Sequence, residues 1–327
     1  MPVWTPEIVL DEAGQDAATI GLMARPLKVG IQLPEVEREV RWTELRQMCE
    51  LAERIGLDSI WVGDHLLYRG GGQPSRGPWE VWSTLAAVAA VTERVEIGPL
   101  VASTSFHNPA MLAKKAATID EISGARLILG LGAGWNEVEY RAYGFPFDNR
   151  VSRFEEAFTI IRTLLADGRC DFHGTYYDLD ACELLPRDPR PHGPPLLIGS
   201  IGKRMLAISL PYVSAWNAWF VSFGNTVEGY RPLRARIDAA CTAAGRDPAA
   251  VERTLALLVA FDDSAGRELG ARPRPEEPPI AGDPRLLEAA LRAFAAEGVA
   301  HVQLVLDPIT LGSIAALEPT LAALDAE

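Results

Sequence analysis

The sequence contains few cysteines, and their spacing suggests no shared function. Its 327 residues include four of them, and no C-x-x-C motif joins any two: Cys49, Cys170, Cys182 and Cys241. This scatter argues against a disulfide framework or a structural zinc site, and it is typical of reduced thiols in a cytoplasmic protein. We therefore predict a cytoplasmic protein that holds no metal.

Blocks of basic residues and long apolar runs are also missing. The chain carries 44 acidic and 31 basic residues, which gives a formal net charge of -13. Such a chain repels nucleic acid and anionic lipid headgroups. No segment reaches the roughly 18 apolar residues of a membrane span, and residues 1–26 lack the basic start of a signal peptide. We expect no nucleic acid and no membrane as partners, and a small molecule as substrate.

Short apolar runs alternate with amphipathic segments along the chain. The runs that predict strands lie near residues 27–34, 58–63, 95–102, 126–132, 195–199, 213–219, 254–261 and 300–306. The segments that predict helices lie near residues 39–55, 80–91, 109–121, 151–167, 202–210, 226–244, 283–297 and 312–324. Eight such repeats indicate one α/β domain over residues 27–327, a (β/α)8 TIM barrel, with an open doubly wound sheet as the alternative. Residues 1–26 are interpreted as an N-terminal arm or leader.

Two segments interrupt the alternation. Residues 169–194 predict an insertion before the fifth strand, which consists of a strand pair and a proline-rich crossing. Residues 262–282 are rich in Pro, Gly, Arg and Glu, and they predict a mobile loop at the mouth of the barrel.

Function in such a barrel collects at the carboxyl ends of the strands. Asp64 and His65 follow the second predicted strand. A histidine titrates near neutral pH, and a neighbouring carboxylate can orient its ring or raise its basicity, so this pair is the predicted acid/base. The alternative is a histidine that only satisfies a backbone carbonyl. A metal site is not expected, because the other strand ends offer only Asp262 and Asp307 as further ligands.

Three alternating glycines end the fourth predicted strand. Gly130, Gly132 and Gly134 have no side chains, so a large ligand can lie against this strand end, although tight packing alone would also explain them. Trp135 follows directly, and its indole can stack on a flat ring system.

A second glycine-containing turn follows the fifth predicted strand and opens a helix. Backbone N–H groups there, the Ser200 hydroxyl and the cations Lys203 and Arg204 suit a phosphate, and an ordinary turn is the alternative. The turn consists of Gly199, Ser200, Ile201 and Gly202.

In their order along the chain, several motifs resemble the luciferase-like flavin-dependent oxidoreductases, particularly the branch that uses the deazaflavin coenzyme F420. The resemblance covers residues 27–217, and the last third of the chain agrees only in its alternation of strands and helices. Its motifs are Trp61-x-x-Asp64-His65, His107-Asn108-Pro109-Ala110, Arg126 to Trp135, Asn136-x-x-Glu139-Tyr140, Arg150-x-x-Arg153-Phe154-Glu155-Glu156, Pro195 to Gly199 and Trp216-Asn217.

The resemblance implies a TIM barrel that binds a flavin-type ring at its C-terminal mouth. The ring would lie against a bulge at Pro99 and Leu100, where the family often has a non-proline cis peptide. Ala133, Gly134 and Trp135 would border the ring, and Gly199 to Gly202 would take the phosphate. His65 would act as general acid/base while a hydride passes between F420 and a small organic substrate. Members commonly form homodimers, which implies one here.

Two departures from the family's motifs bear on the cofactor and the reaction. Trp135 stands where deazaflavin-dependent sugar-phosphate and alcohol dehydrogenases often have a glutamate, which weakens the expectation of that chemistry. Phe154 stands where FMN-dependent alkane and sulfonate monooxygenases have a phosphate-binding tyrosine, which favours F420 over FMN. The alternatives are an FMN-dependent monooxygenase that receives reduced flavin from a partner reductase and a non-catalytic flavin-binding barrel.

Overall fold

A computed structural model describes residues 25–70, 73–264 and 278–326. Its strands are β1 (Lys28–Gln32), β2 (Ser59–Val62), β3 (Tyr68–Gly70), β4 (Gln73–Arg76), β5 (Glu96–Pro99), β6 (Ala102–Ser103), β7 (Leu129–Gly132), β8 (Arg169–His173), β9 (Asp178–Glu183), β10 (Leu196–Gly199), β11 (Ala215–Trp219), β12 (Glu252–Ala260), β13 (Ile280–Ala281) and β14 (Val299–Asp307). Its α-helices are α1 (Trp42–Arg54), α2 (Val81–Val91), α3 (Pro109–Ser123), α4 (Glu137–Tyr143), α5 (Arg150–Asp167), α6 (Lys203–Ser209), α7 (Val227–Ala243), α8 (Pro284–Ala296), α9 (Leu311–Ala315) and α10 (Glu318–Asp325).

The main sheet is a parallel barrel with the strand order β5-β2-β1-β14-β12-β11-β10-β7-β6. Strands β5 and β6 are the two halves of the third barrel strand, so the sheet closes through this segment. Between them lies a non-proline cis peptide that joins Leu100 to Val101, one bond after the predicted Pro99–Leu100 bulge. The eight barrel strands confirm the predicted TIM barrel.

Helix α1 shows how the sequence pattern produces the layer of helices around the barrel. Its apolar residues recur three or four positions apart, so they share the face that packs on the strands. The buried residues of this face are Leu45, Met48, Cys49 and Ala52. Gly56, which has a φ of +89°, then turns the chain towards β2.

The predicted insertion before the fifth barrel strand is present. Strands β8 and β9 pair antiparallel as a separate two-stranded sheet, and β10 follows as the fifth barrel strand. The predicted helix over residues 312–324 is wrong in one respect, because the structure has two short helices, α9 and α10, in its place. Pro319 lies in the first turn of α10. A proline has no backbone N–H to donate, so it favours a new helix start over an uninterrupted helix.

Two elements were not expected from the sequence. Strands β3 and β4 pair antiparallel between β2 and α2, and α4 follows the fourth barrel strand. Most of the predicted arm and most of the predicted loop over residues 262–282 lie outside the described residues. Arg25, near the end of the arm, forms ion pairs with Asp58 at 3.0 Å and with Asp325 at 2.7 Å. Among the helices described, none has the length and apolar character needed to cross a membrane.

Candidate active site

A cavity of about 540 Å³ opens at the carboxyl ends of the barrel strands. Its volume is in the range of sites that hold drug-sized ligands. Ten predicted site residues line it together: Asp64, His65, Leu100, Ala133, Gly134, Trp135, Gly199, Ser200, Ile201 and Gly202. Pro99, the other predicted residue, is buried in β5 and is not part of the lining.

His65 lies between two buried carboxylates. Its Nδ1 atom is 2.8 Å from Oε1 of Glu139, and its Nε2 atom is 3.4 Å from Oε1 of Glu35. Glu139 belongs to α4, and Glu35 lies in the loop after β1. Each carboxylate is therefore brought to the ring by an element that was not predicted to contribute to the site.

Both carboxylates are fixed by further hydrogen bonds. Oε2 of Glu139 accepts the backbone N–H groups of Leu66 at 2.7 Å and Leu67 at 3.2 Å. Glu35 accepts from Nε2 of Gln32 at 2.9 Å and from the Tyr68 hydroxyl at 3.0 Å. These donors hold the two carboxylates in position.

The electrostatics of the site favour a protonated His65. Burial by itself lowers the pKa of the imidazole, but the charge of Glu35 and the hydrogen bond and charge of Glu139 act in the opposite direction, with a smaller effect from Asp64. The net result is a pKa of His65 above its ordinary value.

Asp64 does not hydrogen bond to His65, so of its two predicted roles it does not orient the ring, while its charge does raise the pKa of His65. Its Oδ2 atom accepts the backbone N–H of Ser103 at 2.8 Å and lies 3.0 Å from Nε2 of His107. Adjacent residues at a strand end point in different directions, and Asp64 is directed at the third barrel strand. His107 also brings a second histidine near the strand ends, where none was predicted.

The three glycines of the fourth barrel strand have different nearest neighbours. A Cβ on Gly130 would lie 2.2 Å from the Pro99 carbonyl oxygen, so this position permits tight packing of β7 on the third strand. Gly132 and Gly134 line the cavity. Gly134 has a φ of +72° and passes close to the Tyr140 hydroxyl, which lies 2.0 Å from the position of an added Cβ. Tight packing applies to Gly132 as well, since an added Cβ would lie 2.8 Å from Cγ2 of Val101. All three glycines therefore permit close packing, and Gly132 and Gly134 also border the cavity.

Trp135 closes one side of the cavity next to the histidine. Its ring is edge-on to the His65 ring, with 5.5 Å between centroids, and 6.2 Å from the Tyr68 ring. The indole is 40% exposed, which leaves a large apolar surface open to a ligand.

The predicted phosphate turn lines the same cavity, but the cation in the described lining is not one of the two that were predicted. Arg204 pairs with Glu155 at 2.7 Å, and neither Lys203 nor Arg204 is part of the lining. Arg150, at the start of α5, does line the cavity, and its guanidinium lies 3.7 Å above the centre of the Phe147 ring. The signal that could have identified Arg150 is its place in the Arg-x-x-Arg-Phe-Glu-Glu motif.

Amide side chains complete the inner wall of the cavity. Asn217 donates to Thr254 at 2.8 Å and to Gln303 at 2.7 Å. Gln32 is only 3% exposed, and its Oε1 atom has no hydrogen-bond partner among the described residues. A buried acceptor without a partner in a cavity wall is a feature that a bound N–H or O–H group would satisfy.

The described residues contain no group of three or more His, Cys, Asp or Glu side chains arranged to hold a metal ion. Glu35 and Glu139 are instead occupied by neighbouring donors and by His65.

Comparisons with known proteins agree with this architecture. A family model described as luciferase-like monooxygenase matches residues 27–268. The chain is 31% identical over 245 residues to an F420-dependent glucose-6-phosphate dehydrogenase of Amycolatopsis mediterranei, and the matched segment covers 72% of this chain and 70% of that protein. It is 34% identical over 173 residues to a pyrimidine monooxygenase of Cronobacter sakazakii, which covers 51% of this chain and 50% of that protein.

A solved structure shares the fold over nearly the whole chain. An F420-dependent secondary alcohol dehydrogenase in complex with an F420-acetone adduct superposes with a TM-score of 0.75, over 91% of this chain and 99% of that one. Because only 20% of the aligned residues are identical, this similarity concerns the fold alone.

Proposed function

Since its residues 27–268 match the family model, the chain belongs to the luciferase-like monooxygenase family, and we propose that it transfers a hydride between coenzyme F420 and a small organic substrate. The observation that carries this proposal is the position of His65 in one cavity with Trp135 and the turn at Gly199–Gly202. These residues supply a proton-transfer group, a surface for a flat ring and a turn for a phosphate.

The cavity wall suits a flavin-type ring. Gly132 and Gly199 have no side chains, so Val101 packs against them, 2.8 and 2.9 Å from the positions of added Cβ atoms. The three residues form part of the wall on which a flat ring would lie. The unpartnered Oε1 atom of Gln32 would accept from a ring N–H or a substrate O–H group. Leu100, Val101 and Trp135 would provide apolar contacts on either side.

The residue at the position of the family's phosphate-binding tyrosine, Phe154, supports F420 over FMN. Phe154 is fully buried and stacks on Phe158, with 5.4 Å between ring centroids. It therefore contributes no hydroxyl group to the cavity where FMN-dependent monooxygenases have a tyrosine. Arg150 and the backbone N–H groups near Ser200 would bind a phosphate without that tyrosine.

The bound deazaflavin would supply two-electron hydride chemistry. The part of this chain is to bind the ring, to exclude water and to move one proton. His65 would hold that proton at Nε2, because its Nδ1 atom is engaged by Glu139. Trp135 and Tyr68 pack against the imidazole and limit the access of water.

The first test is a fluorescence titration of the purified protein with F420 and, separately, with FMN. Micromolar binding of F420 with FMN at least about tenfold weaker, a difference of about 1.4 kcal/mol, supports the proposal. Preference for FMN would favour the alternative of a monooxygenase that depends on a reductase. Binding of neither cofactor would contradict the proposed site.

A second measurement separates catalysis from binding alone. We expect His65→Gln to bind F420 about as well as the unchanged protein does, and to lose most of its turnover. Equal turnover in the two proteins would favour a site in which His65 transfers no proton.

The predicted homodimer and the small organic substrate remain part of this proposal. Size-exclusion chromatography with light scattering tests the dimer.

A further inference from the structure

We propose that His65 rests as an imidazolium held by Glu139 and Glu35, and that it acts as the general acid when the protein reduces a polarised double bond. The inference deepens the proposed function and rests on it, since it assigns a direction to hydride transfer: from the reduced cofactor to the substrate. It also assigns Glu139 and Glu35 as positioning residues for the acid.

The hydrogen bonds of Glu139 fix one ring nitrogen as a donor. Its Oε2 atom already accepts two backbone N–H groups, those of Leu66 and Leu67. Glu139 thus acts as an acceptor in each of these bonds, and a carboxylate can only accept hydrogen bonds. Nδ1 of His65, 2.8 Å from Oε1 of Glu139, must therefore carry a hydrogen.

The other ring nitrogen faces the second carboxylate. If the imidazole were neutral with its hydrogen on Nδ1, the unprotonated Nε2 would lie 3.4 Å from a carboxylate oxygen, Oε1 of Glu35. That contact would be repulsive, whereas a proton on Nε2 makes it attractive. The geometry of the two carboxylates therefore favours the doubly protonated ring.

The groups that face His65 from the surrounding elements are mostly anionic or aromatic. The carboxylates are Glu35 after β1, Asp64 after β2 and Glu139 in α4. The rings of Tyr68 and Trp135 lie 4.8 and 5.5 Å from the imidazole centroid. Among the described residues of the cavity lining, the one cation is Arg150.

The two contacts of the ring differ in a way that matters for proton transfer. The Nδ1 contact is short, while the Nε2 contact is 3.4 Å long in a side chain that remains 17% exposed. The proton on Nε2 is therefore the more loosely held one, and it lies on the wall of the cavity. Nδ1 anchors the ring while Nε2 donates.

This arrangement fits an acceptor with a C=O bond, or with a C=C bond conjugated to one. The electrophilic carbon of the acceptor gains a hydride, with its two electrons, from the reduced deazaflavin, which is thereby oxidised. The π electrons of the acceptor move to its oxygen, where an O–H bond forms as the Nε2–H bond of His65 breaks. The deazaflavin, once oxidised, releases its remaining ring proton to solvent, and solvent returns a proton to Nε2 after the product leaves. Atoms and charge then balance, because the acceptor gains two hydrogens and the reduced deazaflavin loses two.

The main test reads the protonation state directly and needs no cofactor. Two-bond ¹H–¹⁵N correlation spectra of protein labelled with ¹⁵N-histidine are recorded from about pH 5 to about pH 9, a range that spans the ordinary histidine titration. The chain has five histidines, and His65→Gln assigns the relevant signals. We expect both ring nitrogens of His65 to remain protonated at pH values well above 6.5, the ordinary pKa of histidine.

Two variants test the roles of the carboxylates. We expect Glu35→Gln and Glu139→Gln each to lower the pKa of His65, and Glu139→Asp to restore part of it. If Glu139→Gln does not fold, Glu35→Gln alone still decides the result, because it leaves the backbone contacts of Glu139 intact. The control is Asp178→Asn, which removes the carboxylate partner of the exposed His173 and should leave the His65 signals in place.

A neutral His65 ring at pH 7, or a pKa unchanged in both glutamine variants, would overturn the proposal. This result would leave cofactor binding untouched, so it is distinguishable from failure of the proposed function, which the F420 titration reports.

A kinetic measurement tests the direction. Reduced F420 is mixed with cyclohexanone or cyclohex-2-en-1-one, and oxidised F420 is mixed with cyclohexanol, in anaerobic single-turnover experiments. We expect reduction to be the faster direction at pH 7, with a rate that falls about tenfold per pH unit above the measured pKa of His65. Faster oxidation of cyclohexanol at pH 7 would overturn the assigned direction. If none of these probes reacts, the NMR result decides the resting state of the acid.

Discussion

Oε1 of Glu139 lies 2.8 Å from Nδ1 of His65, and its Oε2 atom lies 2.7 Å from the backbone nitrogen of Leu66. One carboxylate therefore binds both the side chain of the proposed acid and the backbone that follows it. Glu139→Ala should leave these buried donors without an acceptor and lower the free energy of unfolding by about 3 kcal/mol. Urea denaturation measures the loss.

A matched control lies on the same helix. Glu137 is partly exposed, and its carboxylate pairs with Arg141 in the i,i+4 arrangement. Glu137→Ala should change stability by no more than about 0.5 kcal/mol, because exposed pairs contribute little. Equal losses in the two variants would show that Glu139 has no special part in holding the site.

The conformation of Gly134 gives a second prediction. Gly134 and Gly144 both have positive φ values, +72° and +78°. Gly134→Ala also places a Cβ 2.0 Å from the Tyr140 hydroxyl, while at Gly144 the added carbon meets nothing within 4 Å. Gly144→Ala should therefore cost about 1 kcal/mol from backbone strain alone, and Gly134→Ala should cost clearly more. Thermal and urea denaturation of the pair measure the difference, and equal costs would contradict the contact.

The periodicity of the sequence was enough to predict the barrel. Each of the eight barrel strands is a short apolar run between turn residues, so local pattern and global fold agree. The split of the last predicted helix and the β3–β4 pair were missed for a local reason. Pro319 interrupts a pattern that otherwise continues, and Tyr68 begins a strand of only three residues, which is too short to show a period.

The site was predicted only where residues follow a strand directly. His65, Trp135 and Ser200 were found in this way, because the carboxyl end of each barrel strand faces the cavity. Glu139 was named only as part of the Asn136-x-x-Glu139-Tyr140 motif. Its contact with His65 was missed because it reaches the ring from a helix 74 residues further along the chain. Because Asp64 and His65 are adjacent in the sequence, Asp64 was predicted to orient the His65 ring, although the Asp64 carboxylate accepts from the backbone N–H of Ser103 instead.

Arg150, which lines the cavity, provides a test of the proposed phosphate binding. Arg150→Met keeps much of the apolar stem that packs on Phe147 but removes the charge from the lining. We expect the Kd for F420 to rise about tenfold, the effect of losing about 1.4 kcal/mol from a charge-assisted contact. The control is Arg141→Met on α4, where the arginine is 78% exposed. An unchanged Kd in Arg150→Met would exclude Arg150 as a phosphate ligand.

Trp135 is expected to contribute to the binding of the ring. Trp135→Leu should raise the Kd for F420 on the order of tenfold, because an aromatic stacking contact is replaced by a smaller aliphatic one. Trp42→Leu is the control, since Trp42 has the same 40% exposure but lies on α1. Quenching of tryptophan fluorescence on binding should also diminish in the Trp135 variant alone. Equal quenching in both variants would contradict the position assigned to the ring.

His301 gives a prediction about stability at acidic pH. The ring is buried at the amino end of β14, where its Nε2 atom lies 2.7 Å from the Ser59 hydroxyl oxygen. Burial, with a smaller effect from the charge of Lys28, lowers the pKa of His301 to about 3. As the pH falls below 6.5, His301 takes up a proton in the unfolded chain but not in the folded protein. The stability present at neutral pH is therefore lost between pH 6.5 and about 3, by up to about 1.4 kcal/mol per pH unit.

His301→Gln should remove this part of the pH dependence. The variant is expected to be less stable than the unchanged protein at pH 7, because a buried ring is lost, but its free energy of unfolding should fall less steeply towards pH 5. His192→Gln, at an exposed position, should keep the original slope. Urea denaturation at several pH values compares the three proteins. Parallel curves for His301→Gln and the unchanged protein would show that His301 takes up its proton as readily in the folded state as in the unfolded one.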